Sequence, residues 1–390
     1  MKKRLLILSP RFPYPTIGGD RLRIDHIAKG LSDSFEVSLL TLCETKEELC
    51  FPISDGPFSQ IRRVYLPRWR SYLNAALAIP TALPLQIAYY RSPQFRAEVD
   101  RLLPQHDVAL AITIRAGQYV EGRREPVILD MADAISMNYQ RVAELRDLDD
   151  WKKTLYTFER DRLLRYEQSA LHKFRRVWLV SDVDRKFLTG DPGKHVEVIP
   201  MGVDLLSLPF ATRHGDAIAF IGKMATLQNQ DACFHFLRDI FPRIRDRAKV
   251  KFRVIGDIPH RVAAKLLAYE DVEVTGWFDD VSEAISGAFC AVCPMRAAAG
   301  IQNKILHYMA LGLPCLTSRV GLEGVKAIEN EHLLVYDSAE EAAEQIIALR
   351  SDSGLCAKLA RQGRALVEQL YDWNNVYPLF KSSIQDALNG

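Results

Sequence analysis

Apolar positions follow two periodicities that alternate along the whole chain. Short apolar runs at residues 4–9, 35–42, 64–66, 108–114, 127–130, 177–181 and 196–200 read as buried strands. Between them, residues 20–31 put Leu22, Ile27, Ala28 and Leu31 on one helical face, and helices are also predicted near 93–103 and 151–174. A second series follows, with strands at 217–221, 251–255, 272–275, 289–294, 314–317 and 333–335. Helices are predicted between these at 230–247, 261–269, 281–288, 301–311 and 339–349. Strands and helices alternating at this spacing predict parallel sheets with right-handed crossovers. At 390 residues the chain exceeds the roughly 250–300 at which a single core stops growing, so two domains are expected. The poorly patterned stretch from Met201-Gly-Val-Asp204 to Asp216 is the natural boundary. It gives an N-terminal domain over 1–205, a C-terminal domain over 206–370, and a final segment over 371–390.

One segment carries more chemistry than the rest. A strand-like run over 288–294 leads into Arg296-Ala-Ala-Ala-Gly-Ile-Gln-Asn-Lys-Ile-Leu-His-Tyr-Met-Ala-Leu-Gly312. Ile301, Ile305, Leu306, Met309 and Ala310 share a helical face, which predicts a helix from near Gly300 to Gly312, with Pro314 as breaker. A glycine turn opening a helix at the carboxyl end of a strand points free backbone N–H groups and a positive dipole end at an anion. Lys304 and Arg296 add positive charge there. An ordinary strand–loop–helix corner has the same local pattern. In either case, ligands of parallel α/β sheets bind at the strand carboxyl ends.

Composition narrows the class. With 48% hydrophobic and 26% charged residues and no low-complexity tract or repeat, this reads as a soluble globular enzyme. A net charge of +2 excludes the strong basic field of a nucleic-acid binder, and the basic excess sits in the first half. The apolar opening, Leu5-Leu6-Ile7-Leu8, is ended by Ser9-Pro10-Arg11, so no secretory signal is expected. No run of about 18 apolar residues predicts a spanning helix. Seven scattered cysteines, an odd number, suit reduced thiols in a cytoplasm. Cys290 and Cys293 form one CxxC inside an apolar strand and read as buried thiols. Asp147-Leu-Asp149-Asp150 lies in a charged stretch that reads as a solvated helical face rather than a metal motif.

Several motifs taken in order resemble a known family. They are Phe220-Ile-Gly-Lys-Met224 with Asn229-x-Asp-Ala232, Val254-Ile-Gly256, and Val274-Thr-Gly-Trp-Phe-Asp-Asp-Val281. Gly300-Ile-Gln-Asn-Lys-Ile-Leu-His-Tyr-Met-Ala-Leu-Gly-Leu-Pro314 follows them, and Pro13-Tyr-Pro-x-x-Gly-Gly19 with Arg21 and Arg23 precedes them. Together with Met201-Gly-Val-Asp204, these resemble the retaining GT-B glycosyltransferases of glycosyltransferase family 4, in a branch tied to bacterial surface polysaccharide synthesis. The resemblance is strong over 217–325 and loose over 40–190. It implies two Rossmann-like β/α/β domains facing across a cleft. The acceptor would bind the first domain and a nucleotide-diphospho-sugar the second, with residues 371–390 crossing back as a helix. No cofactor or metal is implied, because fixed N–H groups and Lys or Arg can stabilise the leaving phosphate.

Carried residue by residue, the resemblance makes Lys223 and Lys304 catalytic candidates. Gly222, Arg296, Ala299, Gly300, Ile301, Gln302, Asn303, His307 and Glu323 become donor-binding candidates. Ala299 and His307 stand where the wider family carries two glutamates. A neutral imidazole at His307 can hydrogen-bond a ribose hydroxyl, whereas Ala299 offers only its backbone. Glu323, in Gly321-Leu-Glu-Gly324, is a replacement ribose contact or the cap of a following helix. In the first domain Gly18, Gly19 and Arg21 form a candidate acceptor or phosphate loop, or a simple turn before a helix. Asp133, after the strand at 127–130, is a candidate to contact or deprotonate the acceptor hydroxyl, or a helix cap. A strong enzymic base is not implied, since a leaving phosphate oxygen can take the proton. Arg62-Arg63 and Arg68-Trp-Arg70 precede a mostly apolar stretch to Tyr90. Residues 62–90 therefore read as a contact with an anionic membrane surface and a lipid-linked acceptor, against the rival of a helix covering the sheet. The expectation is a cytoplasmic, membrane-peripheral transferase whose domains close to expel water. A nucleotide-sugar epimerase and a non-enzymatic nucleotide-sugar-binding subunit are the alternatives.

Overall fold

The computed structural model describes residues 2–389 apart from 17, 54, 55, 191, 192, 213, 277 and 279. Ile17 of the proline-rich loop, and Trp277 and Asp279 of the 274–281 motif, lie outside the described residues. The chain forms two compact units. The first comprises residues 1–139, 154–200 and 374–390, and the second residues 140–153 and 201–373. Residues 140–153 thus group with the second unit although they lie within the first half of the sequence.

The first unit is built on β1 (Lys3–Ser9), β2 (Phe35–Cys43), β3 (Gln60–Tyr65), β4 (Val108–Ile112), β5 (Val127–Ala132), β6 (Arg176–Leu179) and β7 (Val196–Val198). All pair in parallel, in the order β3-β2-β1-β4-β5-β6-β7. Central strands of such a sheet are covered on both faces, so they need continuous apolar runs rather than alternation. Leu5, Leu6, Ile7 and Leu8 of β1 are all fully buried, each contributing roughly 1.5–3 kcal/mol. The predicted strand at 108–114 stops at Ile112, because Thr113 adopts φ 58° and opens a helical turn, Thr113–Gly117. The C-terminal helix Trp373–Asn389 seats on this unit. Trp178 Nε1 donates to Ser383 Oγ at 2.8 Å, and the Trp178 and Phe380 rings lie 5.0 Å apart.

The second unit carries β8 (Ala217–Ile221), β9 (Lys251–Ile255), β10 (Val272–Thr275), β11 (Ala288–Cys293), β12 (Cys315–Ser318) and β13 (Leu334–Tyr336). These too are parallel, in the order β10-β9-β8-β11-β12-β13. The predicted helix over 230–247 is three pieces: Leu227–His235, a π turn Phe236–Ile240, and Phe241–Arg245. Pro242 has no N–H to continue the α-helical ladder, which accounts for the break. Cys290 and Cys293 are buried free thiols in β11, and burial pushes both thiols up. Met201-Gly-Val-Asp204 seats Tyr371-Asp-Trp373. The Val203 N–H donates to the Tyr371 carbonyl at 2.7 Å, and a Cβ on Gly202 would fall 2.4 Å from the Trp373 ring. Asp147 lies in a turn before helix Asp150–Leu171, not on a helical face, and pairs with Arg238 at 2.5 Å.

Candidate functional site

In the second unit the strand order reverses between β8 and β11, and the loops after these two strands flank the crevice at their carboxyl ends. Such a switch point is where open parallel sheets take ligands. The loop after β8 starts at Gly222, whose N–H donates to the Ile255 carbonyl at 3.0 Å. Gly256, after β9, has φ 133°, and a Cβ there would sit 2.4 Å from the Gly222 carbonyl oxygen. The close approach of the two loops therefore requires glycine at 256, whereas a Cβ on Gly222 would crowd the Asn229 and Phe220 side chains at 3.0–3.1 Å. Asn229 Nδ2 and the Thr226 N–H both donate to the Lys223 carbonyl, at 3.1 Å each, which fixes the loop backbone while the Lys223 side chain stays exposed.

The loop after β11 turns at Gly300, with φ 68°, and the helix begins at Asn303 rather than near Gly300. Ile301 and Gln302 are thus loop residues, and Gln302 at the cap makes no side-chain cap hydrogen bond. Lys304, in the first turn, reaches across to the β8 side. Its Nζ donates to Asn229 Oδ1 at 2.7 Å and lies 4.4 Å from the centre of the Phe220 ring. It also lies 3.8 Å from Met295 Sδ, a weak acceptor, and near the thiols of Cys293, Cys233 and Cys315. Burial lowers its pKa from the ordinary lysine value. Asn303 Oδ1 is shielded from solvent and has no hydrogen-bond partner among the described residues. Burial also pushes His307 down to about 4, so its imidazole is neutral at physiological pH. Tyr308, fully buried on the same helix, accepts the Ile221 N–H through its hydroxyl at 2.7 Å and ties the helix to the end of β8.

Two of the donor-binding candidates are already paired. Arg296 grips Asp231 with Nε to Oδ2 at 2.9 Å and a second bond from its Nη2, and it lies 3.7 Å from Asp147. Glu323 accepts two bonds from Arg141, at 2.7 and 3.0 Å, and Arg141 also donates to the Ala298 carbonyl at 2.7 Å. No helix follows Glu323 until Ala339–Ser351, so it does not cap one. Arg141 lies beside the 298–300 turn yet carries no motif that would single it out. Ala299 is half-buried and offers backbone alone, as expected of its side chain.

The first unit has its own reversal, between β1 and β4. The loop after β1 leads to Gly18, φ 102°, and Gly19, both exposed at the start of helix Gly19–Ser32. Arg21 pairs with Glu48 at 3.0 Å, while Arg23 is buried in a two-bond pair with Asp130, at 2.7 and 3.0 Å. Asp133 follows β5 but does not cap helix Ile135–Ala143. Asp184 accepts the Ala134 N–H at 2.8 Å, and Glu167 accepts those of Ile135 and Ser136 at 2.7 and 3.3 Å. Burial first, then the neighbouring Asp184 charge, pushes Asp133 up to about 7, with Arg115 acting the other way. Among the described residues, no group of three or more His, Cys, Asp and Glu side chains could hold a metal ion.

Two doubly wound parallel sheets, each with candidate loops at its switch point, define a two-domain α/β protein of the GT-B class. Residues 215–352 match the family described as Glycosyl transferases group 1. No curated protein sequence matches the chain. Among solved structures, sucrose-phosphate synthase from Thermosynechococcus elongatus is similar with TM-score 0.74 and 16% identity, covering 98% of this chain and 99% of that one. HepE from Anabaena, in complex with UDP-glucose, is similar with TM-score 0.68 and 13% identity, over 98% and 99% of the two chains. The N-terminal domain of Candida albicans trehalose-6-phosphate phosphatase gives TM-score 0.67 and 12% identity, over 99% and 97%.

Proposed function

We propose that this protein is a retaining glycosyltransferase. It moves a sugar from a nucleotide-diphospho-sugar to a glycan or lipid-linked acceptor in bacterial surface polysaccharide synthesis. The observation that carries this reading is Lys304. Among the described residues its ammonium, at the β8/β11 switch point, has a single strong hydrogen bond, to Asn229. A lysine ammonium has three donors, and burial makes unpaired ones costly, so the site is built to receive a further acceptor. A diphosphate supplies acceptor oxygens and the matching charge. Lys223, exposed on the facing loop, adds a second cation, and the N–H groups at the start of helix Asn303–Ala310 add their dipole. The match of residues 215–352 to a glycosyltransferase family and the UDP-glucose held by HepE support the same donor class.

In this reaction the bond from the anomeric carbon to the leaving phosphate oxygen breaks while Lys304, Lys223 and the helix N–H groups stabilise the charge left behind. The acceptor hydroxyl oxygen bonds the anomeric carbon on the same face, and its proton passes to a leaving phosphate oxygen. No metal is needed for that charge balance. His307, neutral, hydrogen-bonds the ribose, and Asn303 Oδ1 offers an acceptor beside it. Asp133 orients the acceptor hydroxyl. The protein works in the cytoplasm, peripheral to the membrane through residues 62–90. UDP or GDP should raise the melting temperature of the wild type, and Lys304→Ala should abolish the rise. A full shift in that variant would remove the phosphate-site assignment.

A further inference from the structure

Helix Arg68–Ala78 is packed inside out. Its buried positions are the small residues Ser71 and Ala78, while Trp69, Tyr72 and Leu77 are 68%, 64% and 67% exposed and Leu73 is half exposed. A surface helix ordinarily turns its apolar stripe to the core. Here positions 69, 72, 73 and 77 form that stripe and face solvent. Helix Arg68–Ala78 therefore does not turn its apolar stripe inward, whereas helix Leu85–Tyr89 of the same stretch buries Ile87 and Ala88. The apolar surface continues past the helix. Ile79 is exposed, and so is Phe158 on helix Asp150–Leu171. Arg162 joins these elements: its guanidinium lies 4.8 Å from the Phe158 ring centre and donates to the Ala78 carbonyl at 2.7 Å.

We infer that this face seats the first unit on an anionic bilayer, with Trp69, Tyr72, Leu73 and Leu77 entering the boundary between headgroups and acyl chains. This deepens the membrane contact in the reading above and is independent of the donor site. Charge selects the partner. From residue 56 to residue 97 there is no Asp or Glu, and there are six arginines. Arg70 is exposed on the helix itself and Arg62 is exposed on β3, whereas Arg63 is turned inward onto the carbonyls of Glu48 and Leu49, and Arg68 is paired with Glu44 at 3.2 Å. A cationic rim around Trp, Tyr and Leu matches an interface of anionic headgroups over hydrocarbon. It does not match a second copy of the chain. A two-fold contact sets the same patch against itself and would oppose arginine to arginine.

The test is co-sedimentation of the full chain with phosphatidylcholine–phosphatidylglycerol vesicles and with pure phosphatidylcholine vesicles. Wild type should bind the anionic vesicles and lose that binding at high salt. Arg62→Ser with Arg70→Ser should weaken binding by roughly 25-fold, about fivefold for each arginine. Trp69→Ser with Leu73→Ser and Leu77→Ser should weaken it on the order of a hundredfold. Nucleotide-induced thermal stabilisation, measured on the same variants, should be unchanged, which shows that they are folded. Failure of the wild type to bind anionic vesicles overturns the inference, as does equal binding to both vesicle types. A wild-type dimer that becomes monomeric in the apolar variant also overturns it, by identifying the face as a contact between copies. None of these results touches the donor-site reading, which stands or falls on nucleotide binding.

Discussion

Replacing Lys304 by methionine separates what this side chain does for the fold from what it does for a ligand. Methionine is flexible and of similar length, so it keeps the contact with the Phe220 ring. It loses the hydrogen bond to Asn229 at 2.7 Å and the cation–ring contact at 4.4 Å. These are worth roughly 1.5–3 and 0.5–2 kcal/mol. Against this, the variant no longer buries a charge, a cost of several kcal/mol in a poorly solvated site. The two sides nearly cancel, so the unfolding free energy should change by no more than about 1 kcal/mol. Binding of a nucleoside diphosphate has no such cancellation. The bound state loses one or two charge-assisted bonds, about 2–4 kcal/mol, which weakens binding roughly 30- to 1,000-fold. Calorimetric titration with UDP and GDP, run beside chemical denaturation, reads both quantities. An unchanged Kd at wild-type stability would refute the reasoning, because the ammonium would then face no phosphate.

Other consequences are checked as directly. Gly256→Ala should destabilise by about 2–4 kcal/mol, since its Cβ has nowhere to go but the Gly222 backbone, 2.4 Å away; a loss under about 0.5 kcal/mol in urea unfolding would show that the loops can part. Asp133, pushed up to about 7, keeps its proton in the native state while the unfolded chain ionises near 3.9. Its contribution to stability therefore falls as pH rises from about 4 to 7 and is constant above. Asp133→Asn should stabilise the protein by on the order of 2 kcal/mol at pH 8 and by much less near pH 4.5, and an equal gain at both pH values would contradict the buried-carboxyl account. His307, pushed down to about 4, should show no titration in its NMR signals between pH 8 and 5.5, whereas an inflection near the ordinary histidine value would contradict its desolvation. His307→Ala should weaken nucleotide binding and His307→Glu should preserve it, and the reverse order would remove the ribose contact.

Most of the fold was legible because parallel sheets buried on both faces write themselves as apolar runs. Among the described residues, all thirteen strands fall on or beside predicted ones. The glycines at 222 and 256 were legible as motifs, although only the structure shows that Gly256 is needed where its loop meets the Gly222 backbone. Lys304 and Asn229 each stood inside a motif, yet their bond joins residues 75 apart and has no local signature. Arg141 escaped notice for the same reason, since it meets Glu323 across 182 residues. Arg296 read as a free cation because nothing nearby in sequence shows Asp231 turned toward it. The apolar stretch after Arg70 left two readings open. Periodicity marks an apolar stripe but not which way it faces: Trp69 and Leu77 are exposed, while Ile87, Ala88 and Tyr90 further along the stretch are buried.

The central claim is that the β8/β11 switch point holds the diphosphate of a nucleotide sugar against Lys304. Crystals soaked with UDP, and separately with GDP, test it most directly. The account predicts phosphate density within hydrogen-bonding distance of Lys304 Nζ, close to Lys223 and the N–H groups that open helix Asn303–Ala310. A nucleotide bound elsewhere, with Lys304 still bonded only to Asn229, would contradict it.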